Sequence, residues 1–291
     1  MIIDQLVSLF ETHQIMLVVA ALFLINLGIT GFEIVLDLLT KKQRRWKDTL
    51  ANCVIFVAHQ VLEKTALASL GFVALLPFYA ITPLQIPMTA WTWVGALLAA
   101  DFTYYWMHRC EHQIRILWAS HSVHHSSEDY NLTVGFRLSL VEGLFEWAFL
   151  VPMILIGFNP FQAIAGLVLV AQYQHWVHTE RVGKLGWLDE VFNTPSVHRV
   201  HHGSNRQYLD KNFGGVLMIW DRLFGTFQRE DEKVTYGLTR NIKTNNPVRI
   251  VFIEFARIAS DLKKCRTFRD RLRIVFGGLS WRPGYFAKPE E

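Results

Sequence analysis

AWTWVGALLAADFTYYWMHRCEH, residues 90–112, joins two kinds of sequence in one helix-length run. Its first part, to residue 107, is apolar over a length within the range of a transmembrane helix, about 17–25 residues. Its last part carries His108 and His112, one turn apart and so on one helix face. The stretch predicts an apolar rod that delivers two imidazoles just beyond the hydrocarbon boundary.

Working outward, runs of similar character occupy 15–39, 138–158 and 160–177. A fifth apolar region, 50–81, is interrupted by His59, Glu63 and Lys64, and reads as one long tilted span or as a span plus a re-entrant piece. The composition agrees: 51% of the residues are hydrophobic and the mean hydropathy is +0.21, which disfavours an ordinary soluble enzyme. The loop at 41–47, KKQRRWK, is basic, whereas 1–15, 82–89 and the Asn159-Pro160 turn contain no Lys or Arg. By the positive-inside rule the basic loop is cytoplasmic, and every histidine-rich segment then falls on that same face. The expected fold is all-α: an integral membrane helical bundle of about four to five transmembrane helices with a cytoplasmic histidine-rich helical cap. Its regions are N-terminal spans with the basic loop (1–89), a central domain (90–230) and a basic amphipathic tail (231–291).

Cys53, Cys110 and Cys265 have no paired spacing, so no disulfide framework is expected. The first residues lack the features of a cleavable secretion signal. From Arg240 onward, cations outnumber acids and interleave with VRIVFIEFARI and RLRIVF. This predicts an amphipathic helix on an anionic leaflet. In a chain held by several spans, nucleic acid is not the expected partner.

Ten of the twelve histidines fall between 108 and 202, which makes them a cluster rather than scattered surface residues. His121, His124 and His125 form H-x-x-H-H, and His198, His201 and His202 repeat it; His175 and His178 lie between, in QHWVHTE. His13 and His59, each alone, read as structural. Imidazole suits zinc, copper, iron and nickel. One ion takes three or four protein ligands, so eight or nine histidines suit two ions. HRCEH also fits H-x-x-E-H, with Glu111 as the base of a membrane zinc metallohydrolase. That alternative leaves both H-x-x-H-H clusters unused. No histidine has an acid three positions before it, which disfavours a four-helix carboxylate centre. A transporter or storage protein is disfavoured because the clusters gather at one membrane face.

These words resemble the fatty acid hydroxylase / sterol desaturase superfamily of membrane di-iron oxidoreductases. The resemblance rests on DFTYYWMHRCEH, LWASHSVHHSSEDYNLTVGFR and NTPSVHRVHHG, and covers about residues 90–230. Within it, HHSSEDYNLT, QHWVHTE and NTPSVHRVHHGSNRQYLDKNFGGVLMIWDRLFGTF are most similar to the alkylglycerol monooxygenase group and its bacterial members. The resemblance implies that His108, His112, His121, His124, His125, His198, His201 and His202 bind two iron ions, with His178 as a ninth ligand. It leaves His175 as a supporting residue.

Asp101, Glu111, Glu128, Asp129 and Glu180 are candidate partners for the second ring nitrogens. Glu142 and Glu146 are read as facing the same cavity, pairing with Arg137 or sitting near the interface. The implied reaction hydroxylates or desaturates a lipid C–H bond with dioxygen. Alkylglycerols, sterols and the acyl groups of polar lipids are the candidate substrates. No haem, flavin or Rossmann segment is present, so electrons are expected from a separate donor, a tetrahydropterin or another external reductant. The segment at 210–224 reads as a lid, with Gly214 and Gly215 allowing a tight turn.

Overall fold

In the computed structural model, residues 2–62 and 68–286 are described, with side chains at 13–62 and 69–286. Glu63 and Lys64, two of the expected interruptions, lie outside the described residues. Among the described residues every regular element is helical, and only isolated bridges stand for β structure.

α1 (Ile2–Leu39) contains, among the described residues, the one helix segment long and apolar enough by itself to cross a membrane, His13–Leu39. Lys41, in the left-handed region at φ 52°, turns the chain into the basic loop. The region 50–81 divides into α2 (Trp46–Leu62) and α3 (Ala68–Ile81). α4 (Ala90–Gln113) begins at a reciprocal Thr89–Thr92 capping box, which satisfies two amides that an open helix end would leave bare. It runs six residues past the apolar segment ending at 107, about 9 Å at 1.5 Å per residue. Extended Ile114 breaks the helix, and α5 (Arg115–His125) folds back along its last turns.

The expected span at 138–158 is shorter as a helix, α6 (Gly143–Leu155). Leu138 to Glu142 are taken up by the connection from Arg137, and Gly157, at φ +110°, turns the chain after it. α7 (Pro160–Gln174) starts at Asn159, whose side chain accepts the Phe161 amide, with Pro160 at the first helical position. α4 and α7 approach closely because both present small residues: Ala96 and Ala100 face Ala163 and Gly166. A Cβ on Gly166 would lie 2.9 Å from that of Ala100. Short helices α8 (Leu188–Val191), α9 (Pro195–His201) and α10 (Ile219–Leu223) follow.

α11 (Pro247–Lys264) and α12 (Phe268–Phe276) pack against α5. Ile250 and Val251 bury against Val123, and Ile258 and Ile274 against Ala119.

The outer face of the bundle is apolar. Leu24, Phe32 and Leu39 on α1, Val54, Val57 and Val61 on α2, and Trp91, Val94 and Leu98 on α4 are all exposed. The inward stripe of α1 is polar instead: Asn26, Thr30, Glu33 and Asp37 are all buried at i, i+4, i+7 and i+11. A helix that is greasy outside and polar inside reverses the usual soluble pattern.

Candidate metal centre

Four elements converge on one buried volume. α4 supplies His108 and His112, α5 supplies His121, His124 and His125, the turn after α7 supplies His178, and α9 with its cap supplies His198, His201 and His202. The nine imidazoles sort into two groups: His108, His112, His121, His125 and His201 form one, and His124, His178, His198 and His202 the other. Within each group the nearest ring nitrogens all lie within 4.8 Å of one another. The groups adjoin, since His125 stacks on His202 with centroids 4.4 Å apart. α5 and α9 each feed both groups.

The ring tautomers follow from the backbone. His108 Nδ1 donates to Phe213 O at 2.9 Å, His201 Nδ1 to Lys211 O at 3.0 Å, and His178 Nδ1 to Gln174 O at 2.8 Å. A carbonyl only accepts, so the proton sits on Nδ1 and the Nε2 lone pair faces inward. Burial also drives these rings toward the neutral form, His201 to about 4 and His178 to about 3.

The inward nitrogens then crowd. His108 Nε2 is 3.0 Å from His121 Nε2, His178 Nε2 is 3.1 Å from His124 Nε2, and His198 Nε2 is 3.0 Å from His178 Nε2. His112 Nε2 is buried with no hydrogen-bond partner. Lone pairs at such spacing repel unless a shared proton or a cation lies between them. Ligand bonds of about 2.1 Å let nitrogens this close share one cation. The donor set fits iron.

Among the expected carboxylate partners, Glu111 lies beside an imidazole, with Oε2 3.3 Å from His121 Nδ1. Burial, with Glu146 nearby, pushes its carboxyl well above the usual range. Glu142 joins Glu111 and His121 within the same 4.8 Å.

The other expected partners are directed elsewhere. Asp101 accepts the amides of Val216 and Leu217 and the Trp220 indole N–H, so it anchors a loop rather than a ring. Glu128 and Asp129 hold Arg45. Glu180 meets Tyr236 and Lys42. His175 stands outside both groups: Nε2 meets Thr30 Oγ1 at 2.7 Å and the ring lies on Phe136. Arg137 pairs with Asp48, at 2.8 Å, instead of Glu142, and also caps α5 through Val123 O.

The segment at 210–224 carries the carbonyls that fix His108 and His201. Fully buried Asp221 accepts the Phe213 and Gly214 amides and so holds that loop in place. Gly214 and Gly215 serve close approach rather than a left-handed turn. A Cβ on Gly215 would meet Val170 at 2.4 Å, whereas the positive-φ residues of this loop are Asp210 and Asn212.

The sequence reading missed Glu33. Its Oε1 accepts the Thr179 hydroxyl at 2.7 Å, and its Oε2 accepts the Leu132 amide and Arg44. Glu33 thereby ties α1 to the residue after His178. Two acids, Glu33 and Asp37, inside the long apolar run of α1 were the available signal.

The fold and this centre define an all-helical protein built around two adjoining polyhistidine compartments. Residues 93–226 match the fatty acid hydroxylase family model, so the chain carries a fatty acid hydroxylase family domain. It is similar to alkylglycerol monooxygenase of Homo sapiens, at 45% identity over 194 residues, 67% of this chain and 43% of the relative. It is also similar to an ornithine lipid hydroxylase of Rhizobium tropici, 33% identical over 50% of this chain and 44% of the relative. A sterol desaturase of Schizosaccharomyces pombe is 26% identical over 60% of this chain and 51% of the relative. The chain spans less than half the length of the alkylglycerol monooxygenases it matches. No solved structure matches it.

Proposed function

We propose that this protein is a membrane-bound di-iron oxygenase that hydroxylates a lipid C–H bond, with alkylglycerol-type ether lipids as the substrate class. The observation that carries the reading is the pair of adjoining imidazole groups whose nitrogens are spaced for two cations. The relatives, oxygenases and desaturases of lipids by name, support the substrate class.

His108, His112, His121, His125 and His201 would hold one iron, and His124, His178, His198 and His202 the other. Bound there, the irons supply dioxygen activation and removal of hydrogen from an unactivated C–H bond. The chain's own part is positioning. Backbone carbonyls hold His108, His178 and His201 in the tautomer that ligates, and the Glu111 carboxyl lies beside His121 Nδ1. Hydroxylation of an ether carbon gives a hemiacetal that collapses to an aldehyde and a glycerol derivative. One oxygen atom enters the lipid and the other leaves as water, so two electrons must come from a donor such as a tetrahydropterin.

The reading has 1–89 in membrane anchoring, 90–230 in the iron domain and 231–291 in a basic amphipathic cytoplasmic tail, with several crossings and the histidines on the cytoplasmic face. The apolar outer faces of α1, α2 and α4 support it. The test is metal analysis of the purified chain followed by turnover of an alkylglycerol under oxygen. About two irons per chain and an aldehyde product are expected, and His124→Ala should lose the product together with the iron of its own group. One zinc, no iron and no oxygen dependence would refute the proposal.

A further inference from the structure

We infer that α12 is a docking surface for an anionic lipid bilayer, fixing the height of the histidine-bearing helix α5 beneath the membrane. The inference rests on the proposed membrane residence but not on the iron chemistry.

One face of α12 is pinned. Ile274 is fully buried in the cluster that contains Ala119 of α5, and the Arg115 amide donates to Gly277 O at 3.1 Å. The opposite face presents Phe268, Leu272 and Phe276 at i, i+4 and i+8, exposed by 74%, 44% and 63%. Three large apolar side chains in a row on a surface helix need a cover.

The charges around the stripe select the cover. Arg269, Arg271 and Arg273 lie on the same short helix against Asp270 alone, and Lys263, Lys264 and Arg266 precede it. A protein partner would have to match that cation row with acids, whereas an anionic leaflet supplies negative charge over apolar tails in the same layer. Arg273 stacks on Trp281 and Arg266 on Tyr285, with 5.0 and 4.6 Å from guanidinium to ring, and such aromatic rings favour the headgroup region.

The position is fixed relative to the histidines. Gly277, at the end of α12, accepts the amide of Arg115, just past the end of α4, so α12 is tied to the same end of that helix as His108 and His112.

The test uses the full chain with Cys53, Cys110 and Cys265 replaced by serine and an environment-sensitive dye on Leu272→Cys. It is reconstituted in phosphatidylcholine vesicles with and without phosphatidylglycerol. In anionic vesicles the emission should shift to the blue and be quenched by brominated acyl chains, and high salt should weaken both effects. Phe268→Asp/Phe276→Asp should abolish both while the chain still floats with the vesicles. Arg269→Glu/Arg271→Glu, which leaves the buried face intact, should remove the preference for anionic lipid.

A dye that stays water-exposed and unquenched in anionic vesicles overturns the inference. So does a blue shift that grows with protein density without lipid quenching, since a second copy then covers the stripe. Loss of flotation in the unmutated chain overturns the membrane reading as well, a distinguishable failure.

Discussion

His108, His178 and His201 illustrate how a side chain is oriented by atoms that have no letter in the sequence. Each gives its outer proton to a main-chain oxygen, so the partner is set by where a loop runs rather than by which residue it carries. Of the carboxylates expected from sequence only Glu111 lies beside an imidazole, while Asp101, Glu128, Asp129 and Glu180 serve other groups: an acid near a histidine in sequence is visible, and a carbonyl is not. Gly135 belongs to the same scale. A Cβ there would lie 2.7 Å from His175 Nδ1 and 3.2 Å from His178 Nδ1. Gly135→Ala is therefore expected to displace His178 and to weaken metal binding by about 10- to 100-fold, the usual cost of disturbing a ligand's support. Metal titration of the apo-protein checks it, and an unchanged affinity would show that the ring can shift without loss. Asp101→Asn should act more remotely. An amide cannot accept all three N–H bonds now made to the carboxylate, so the loop at 213–217 loosens at a cost of about 1–3 kcal/mol. The readout is the unfolding midpoint in detergent.

At the scale of elements, the histidine spacings were legible because 3.6-residue periodicity alone places i, i+3 and i+4 together. The junction of α4 and α5, and the pairing of α9 with the turn after α7, were not, because they depend on long-range packing. Arg137 is the clearest case. Its fully buried guanidinium joins Asp48 and Asn52 of α2 to Val123 and Ser126 at the end of α5. Replacing it with methionine leaves Asp48 buried without its cation, and the expected destabilisation is about 3–5 kcal/mol. Adding Asp48→Asn to that variant should recover part of the loss. If the two effects simply add, the pair contributes nothing beyond its separate packing. The polar stripe of α1 was legible in principle, since Asn26, Thr30, Glu33 and Asp37 recur at helical spacing, but the surrounding apolar run masks it when hydropathy is averaged.

For the molecule as a whole, the all-helical class and the convergence of three distant sequence words were both readable from the chain. The division of 50–81 into two helices and the packing of the tail onto α5 required the folded structure. A metal held at the proposed centre, among α4, α5, α7 and α9, would be coupled to global stability. Any ligand bound only by the folded state raises the unfolding free energy, by about 2.7 kcal/mol at one hundred times its dissociation constant. A chelated sample should accordingly melt at lower temperature than the loaded one, and ferrous iron should restore the transition. The same scan on His124→Ala/His125→Ala should show little response to either treatment. A chelator-insensitive transition in the unmutated chain would mean that the nine imidazoles are held by the helices alone.

One consequence lies in the chain itself. His124 and His125 are neighbours joined by a single peptide unit, yet they face different compartments, and His201 and His202 repeat the arrangement. Adjacent Cα atoms are about 3.8 Å apart and that length cannot stretch. Two covalent rulers thus gauge the interval between the compartments, and a tilt of α5 or α9 would move both compartments together instead of parting them.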